Sequence, residues 1–465
     1  MADHLSQLAN ILPIGLTGSI VRTEGLVAAA GGFPAPIGAL ARIQRQAAED
    51  VEAEVIGFRD GHTLLYPMGE MNGVRPGSRV TLHRTSRIIG VGQELLGRVI
   101  DSRGNWLDDL PQPSLTERVP LGRKPPPALS RPRVHQPLST GVRAIDGLLT
   151  CGIGQRLGIF AGSGVGKSVL LGMMAKYTSA DVNVIGLIGE RGREVNEFLE
   201  RDLGPAGLAR SVVVVATSDE PALVRVQAAM TATAVAEYFR DQGKSVLLIM
   251  DSLTRFAMAQ REIGLAAGEP PTTRGYPPSV FAMLPRLVER AGRNELGSIT
   301  AFYSVLVEGD DTNEPVSDTV RGLLDGHVIL SRRLAAQAHF PAIDILGSIS
   351  RLFTDITPPD QRAAAQTIRE LLSAYREHED LISIGAYRNG ANPTVDMAIA
   401  MRDEVLKYLR QAVDDRSSVE QSRAALVQLA QKCLASKKPA PAAQVNPANL
   451  RKPGYSQQQG VQPVG

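Results

Sequence analysis

Residues 161–168 read Ala-Gly-Ser-Gly-Val-Gly-Lys-Ser, and they follow an apolar run, Gln155-Arg156-Leu157-Gly158-Ile159-Phe160, with the composition of a buried strand. A strand, a glycine-rich turn and a helix in that order form the phosphate cradle of a P-loop α/β sheet. Gly162, Ser163, Gly164, Val165 and Gly166 allow successive backbone N–H groups to turn toward phosphate oxygens. The helix from Ser168 to about Ala175 aims its positive end at the same anion. Lys167 is then placed to reach the β- and γ-phosphates of a nucleotide, and the Ser168 hydroxyl to ligate Mg²⁺. The usual first glycine of the pattern is Ala161 here, which must avoid the positive-φ region. An ordinary glycine-rich turn is the alternative, and three glycines ahead of Lys-Ser argue against it.

Composition narrows the class further. Lys+Arg at 50 against Asp+Glu at 48 leaves a net charge of +2, so no global field marks a nucleic-acid or membrane-surface protein. Cys151 and Cys433 have neither the density of a disulfide framework nor metal-ligand spacing, which points to a reducing cytosolic compartment. The seven histidines do not cluster, so no metal beyond nucleotide-linked Mg²⁺ is expected. No apolar run approaches the ~18 residues that span a bilayer, and the first residues lack a signal peptide's basic region, so a soluble protein is expected.

Five regions follow from the patterning. Residues 1–17 hold a short amphipathic segment, Leu5, Leu8, Ala9 and Leu12, that Pro13 ends after about two turns. Residues 18–95 alternate as strands do, as in Val51-Glu52-Ala53-Glu54-Val55, and predict a small β-barrel. Residues 96–356, entered through a proline-rich linker near Pro125–Pro137, alternate strands and helices, with strands expected at 155–160, 183–189, 211–216, 245–250, 298–306 and 326–331. Residues 357–435 read as a helical domain. It opens at Pro358-Pro359-Asp360 with Ile368, Leu371, Leu372 and Tyr375 facing the core, and ends in a helix over 418–435 that Ser417 and Glu420 can box. Residues 436–465 lack the apolar residues for a core and are expected to be disordered.

Two carboxylates end apolar strands. Asp251 closes Ser245-Val246-Leu247-Leu248-Ile249-Met250, and in sheets covered on both faces ligands collect outside such strand ends, so Asp251 is a candidate to hold Mg²⁺ through water or by orienting Ser168. Taken alone, an acid at a strand end more often caps a helix; beside a phosphate loop the Mg²⁺ role is favoured. Glu190 ends a second strand at Gly189-Glu190-Arg191-Gly192-Arg193, where it either positions a water for attack on the γ-phosphate or caps the helix that follows.

These strings, with Leu-Ile-Met-Asp-Ser-Leu-Thr-Arg at 248–255, Gly-Glu-Pro-Pro at 268–271 and Gly-Tyr-Pro-Pro-Ser-Val at 275–280, resemble the flagellum-specific ATPases of the type III export apparatus. Those enzymes are similar to the catalytic beta subunit of rotary ATP synthases, and the resemblance runs from about residue 20 to about residue 435. It implies an α/β RecA-like P-loop core with an N-terminal small β-barrel and a C-terminal helical domain, assembled as a homohexamer. It implies catalytic roles for Lys167, Glu190 and Arg191, since related non-catalytic subunits carry Gln in place of the glutamate. Arg351, in Gly347-Ser348-Ile349-Ser350-Arg351, matches the arginine that family members insert into the neighbouring subunit's site. By its own sequence it reads more readily as a surface residue paired with an acid such as Asp355. Tyr387 falls where the rotary subunit sets an aromatic against adenine; alone it reads as core.

The resemblance also implies partners: a stator and negative-regulator protein, a central stalk protein, an export-gate membrane protein, and export chaperones carrying substrates, with the ATPase peripheral at the cytoplasmic face of the inner membrane. The amphipathic start is shorter than the family's regulator-binding helix. A virulence-type secretion ATPase is the nearest alternative. A ring-shaped RNA translocase of the termination-factor type is a more distant one, and it expects basic and aromatic residues interleaved on the barrel, where only Phe33, Phe58 and Tyr66 occur among scattered arginines.

Overall fold

The computed structural model describes residues 15–307 and 314–436. The amphipathic segment expected before residue 15 and the tail expected after Ser436 lie outside the described residues.

Six strands, Thr17–Glu24, Val27–Gly31, Leu40–Ile43, Val51–Arg59, His62–Pro67 and Arg79–Arg84, close into an antiparallel barrel, the last strand pairing with the first. The alternation seen in sequence is the reason. Val51, Ala53 and Val55 turn inward to Ile20, Phe33, Ile43, Leu65 and Val80, while Glu52 and Glu54 stay at the wall. The barrel ends earlier than residue 95, because Ile88–Val91 instead pairs with Glu117–Pro120 and Arg98–Asp101 joins the next domain's sheet.

That sheet is nine-stranded and mainly parallel. Its order runs Ile349–Ser350, Gly326–Leu330, Arg156–Ala161, Ser298–Leu306, Ser245–Asp251, Val182–Glu190, Ser211–Thr217 and Arg98–Asp101, with Gly292–Arg293 pairing off the path. Each expected strand forms, within two residues of its predicted bounds. The central strands are buried on both faces, which is why Ser245–Asp251 reads as an unbroken apolar run up to its terminal acid. All the parallel strands present their carboxyl ends to one rim.

The C-terminal region is helical, as the sequence implies. Pro359–Ser383 buries Ile368 and Leu371, and the shorter helices Pro393–Ala400 and Arg402–Leu409 follow it. The last helix, Val419–Ala435, does open on a capping box, but it is set one residue later than Ser417 and Glu420 suggest. The Ser418 hydroxyl accepts from the Gln421 N–H at 3.3 Å, and the Gln421 side chain accepts from the Ser418 N–H at 2.9 Å. Ser417 turns away to the buried Ser422 hydroxyl at 2.9 Å, which takes it out of the box.

Candidate active site

The phosphate loop leaves its strand at Ala161, which stays extended and buried, so the missing first glycine costs nothing there. Two later glycines are required. Gly164 and Gly166 sit at φ of 77° and 86°, in the left-handed region, and the turn they make delivers Lys167 to the first position of the helix Lys167–Tyr177. Val165 anchors the loop in the core, whereas Ser163 and Gly164 face out. No side chain caps the helix start, so its N–H groups are left to an anion. Ser168 stands half-buried one residue further on.

Lys167 meets both predicted carboxylates. Its ammonium bonds Asp251 directly and lies 3.8 Å from Glu190 Oε1. Asp251 ends the strand Ser245–Asp251, between the phosphate-loop side of the sheet and the Glu190 strand, and its Oδ1 also accepts from the buried Ser304 hydroxyl at 2.6 Å. The strands carrying Lys167's loop and Glu190 are not neighbours; two strands lie between them. Glu190 reaches the rim through an irregularity. The pairing register slips between Ile188 and Glu190, with Gly189 at φ 72° between them.

Arg255 completes the group. Its Nε and Nη2 donate to the two Glu190 oxygens at 3.2 and 3.5 Å, from the first turn of the helix Leu253–Ala266. Burial, and then the Asp251 charge, push the Glu190 carboxyl up to about 7, while Lys167 and Arg255 pull the other way. A carboxylate with a raised pKa, held by two cations at a phosphate-binding rim, can orient and polarise a water. For Mg²⁺ the residues present fit. Among the described residues no three acidic, His or Cys side chains gather into a metal site, but Asp251 and Ser168 supply oxygen donors to an ion whose other ligands are phosphate and water.

Gly189 gives a direct test of this geometry. A Cβ there meets Arg255 Cδ at 2.9 Å and forces a left-handed L-residue, worth about 1–2 kcal/mol of strain. Gly189→Ala should therefore lower the unfolding midpoint and cut phosphate release, with unfolding scans and a phosphate assay as the measurements. Full activity in the variant would separate Glu190's position from the bulge.

The other predicted residues lie elsewhere. Arg191 is three-quarters exposed and pairs with Glu194 at 3.3 Å. Arg351 is exposed and follows the edge strand Ile349–Ser350, where its N–H donates to Asp325 O at 2.9 Å. That is the amino end of the strand Gly326–Leu330, whose carboxyl end lies beside Ala161, so Arg351 stands about five residues, or ~16 Å, from its own phosphate loop. Its guanidinium forms no ion pair with Asp355 or any other acid among the described residues. The Tyr387 hydroxyl donates to Asp396 Oδ1 at 2.9 Å and accepts from the Asn392 N–H at 3.2 Å.

Comparison with known proteins gives the family. The pattern of the ATP synthase alpha/beta family, nucleotide-binding domain, matches residues 141–350, and that of the T3SS EscN ATPase C-terminal domain matches residues 357–428. The flagellum-specific ATP synthase of Bacillus subtilis is 53% identical over 414 residues, which cover 89% of this chain and 94% of the relative. The chain belongs to the type III export ATPase family. Another member, the type 3 secretion system ATPase of Sinorhizobium fredii, is 51% identical over 87% of this chain and 90% of its own. The assembled ATPase EscN of enteropathogenic E. coli superposes with a TM-score of 0.85 at 47% identity, over 89% of this chain and all of that one.

Three parts of this export ATPase's site escaped the sequence reading. Arg255 lay inside the quoted string 248–255, four residues after Asp251, and helical spacing from the strand end was a usable signal. Ser304 has none, being one of four hydroxyl-bearing residues in a buried strand. Phe340 is the third. A Cβ on Gly166 meets its ring at 3.5 Å, so this aromatic, 46% exposed, lies against the phosphate loop. Its carbonyl receives a hydrogen bond from the Gln411 N–H at 3.0 Å, and both residues line a cavity of about 700 Å³ with Arg143, Asp403, Arg410 and Asp415.

Proposed function

We propose that this chain hydrolyses Mg-ATP in a homohexameric ring and energises flagellar type III export, helping chaperone-delivered subunits detach and unfold. The observation that carries the chemistry is Glu190, buried at the sheet rim 3.8 Å from the phosphate-loop lysine. In this reading Lys167 exchanges Asp251 for the β- and γ-phosphates, and Arg255 keeps the Glu190 carboxylate aimed at the attacking water. When bound, Mg²⁺ would be held with the help of Ser168 and Asp251 and would supply charge neutralisation on the phosphates. Arg351, unable to reach its own loop, serves the next subunit's site. EscN, 46% identical in its complex with the central stalk EscO, supports a ring around such a stalk. No helix among the described residues is long and apolar enough to cross a membrane, in keeping with a peripheral place beneath the export gate.

Phe340 is the base platform. Stacking of a base on an aromatic ring contributes ~1–3 kcal/mol, so Phe340→Ala should raise the KM for ATP about tenfold with little change in kcat. Inhibition by inorganic tripolyphosphate, which has no base, should not change. An unaltered KM removes Phe340 from the base site.

The biological role is tested by depleting the chain in its own cell. Loss of filament subunits from the medium, with loss of swimming, is the expected result. Normal swimming with loss of host-directed effector secretion assigns the chain to virulence export instead.

A further inference from the structure

Two buried glutamines of the C-terminal domain grip one short helix of the ATPase domain. That helix, Arg143–Leu148, lies just ahead of the phosphate-loop strand. Gln361, from the helix Pro359–Ser383, donates to Asp146 O at 3.1 Å, Gly147 O at 3.0 Å and the Thr150 hydroxyl at 2.9 Å. Gln411 holds the other end. Its Oε1 accepts from the Arg143 N–H at 2.7 Å, and its Nε2 donates to Gly141 O at 2.8 Å and to Asp415 O at 2.7 Å.

Every polar atom of the Gln411 side chain is therefore committed inside a residue that is 7% exposed. Its backbone N–H is committed as well, to the carbonyl of Phe340. One residue thus ties three separate stretches together: the start of the helix before the phosphate-loop strand, the loop at Asp415 after the C-terminal domain's helix Arg402–Leu409, and the segment bearing the aromatic beside Gly166. Buried, fully satisfied networks of this kind fix one arrangement, because any shift leaves a polar group without a partner.

We infer that Gln411 is a positioning residue for nucleotide binding: it holds Phe340 at the base cavity from the C-terminal domain, so that domain's seating sets how tightly the base is bound. The inference rests on the reading of Phe340 as the base platform. Gln411 touches no phosphate-binding group, so its effect is confined to the base end of the nucleotide. The phosphate end, Gly162 to Ser168, keeps its own contacts.

The test is a cycle with Phe340. Gln411→Leu removes the three side-chain bonds at similar volume and should raise the KM for ATP about tenfold, with kcat changed less than twofold. Inhibition by tripolyphosphate should be unchanged. Because Gln411 acts through Phe340, the double variant with Phe340→Ala should have the KM of Phe340→Ala alone. Additive losses in the double variant, or a matching loss of tripolyphosphate affinity, overturn the inference. A Phe340→Ala protein with normal KM refutes the platform itself, whereas normal KM in Gln411→Leu beside a raised KM in Phe340→Ala refutes only the role of Gln411. Gln411→Glu keeps the acceptor for Arg143 and serves if the leucine variant does not fold. It should show a raised KM of the same kind, and an ATP KM equal to the parent's is again a refutation.

Discussion

A Glu190→Gln protein should bind ATP as tightly as the parent and release phosphate ~10²–10⁴-fold more slowly, because a general base or water-positioning carboxylate acts in the transition state and little before it. The amide keeps the shape of the side chain, and one of its atoms still accepts from Arg255, so the rim should stay intact. Lys167→Ala is expected to behave differently. It removes the cation that bonds Asp251 and stands 3.8 Å from Glu190, leaving Asp251 with Ser304 alone and two carboxylates facing the incoming phosphates. Affinity and turnover should fall together. Calorimetric binding beside a phosphate-release assay separates the two variants. Near-normal turnover in Glu190→Gln would remove Glu190 from the mechanism.

The sequence carried the phosphate loop, the strand-ending carboxylates and the division into barrel, sheet and helices because each rests on a local pattern. Glycines at left-handed positions, apolar runs of strand length and period-two alternation are visible within ten residues. What escaped depends on contacts between distant stretches. Ser304 reaches Asp251 only because the strands Ser298–Leu306 and Ser245–Asp251 are neighbours, and Met250 faces Tyr303 in register. Phe340 meets Gly166 only because the segment after Gly326–Leu330 folds back, with Ser331 N–H donating to Ala342 O at 2.8 Å. Gln411 sits 268 positions from Arg143 in the chain. Glu190 is intermediate: its strand and its charge were legible, but its reach to Lys167 across two intervening strands depends on the bulge at Gly189, which the run Ile188-Gly189-Glu190 hints at without fixing. The capping box shows the same boundary at small scale. Ser417 and Ser418 are equivalent one-dimensional candidates, and the choice between them is made by burial of Ser422.

Arg351→Ala should leave ATP binding intact and lower turnover by about 10³-fold or more, the scale on which an arginine stabilises a transferring phosphoryl group. The residue is exposed at the amino end of its edge strand, far from its own loop, so whatever phosphate it serves belongs to another copy of the chain. Activity then becomes a property of the interface. An Arg351→Ala subunit keeps a complete loop with Glu190, and a Glu190→Gln subunit keeps a complete arginine. When the two inactive proteins are mixed as monomers and then assembled with Mg-ATP, a head-to-tail ring places an intact loop against an intact arginine at about one interface in four for an equal, random mixture. Turnover should therefore recover to about that fraction of the parent's. It should rise with total protein as rings form, which neither variant alone will do. Mixing after assembly, without subunit exchange, should give no recovery, so the order of addition is an internal control. A surface arginine with no role in trans predicts the opposite pattern: Arg351→Ala rings, seen by electron microscopy, that hydrolyse ATP at the parental rate and gain nothing from a partner.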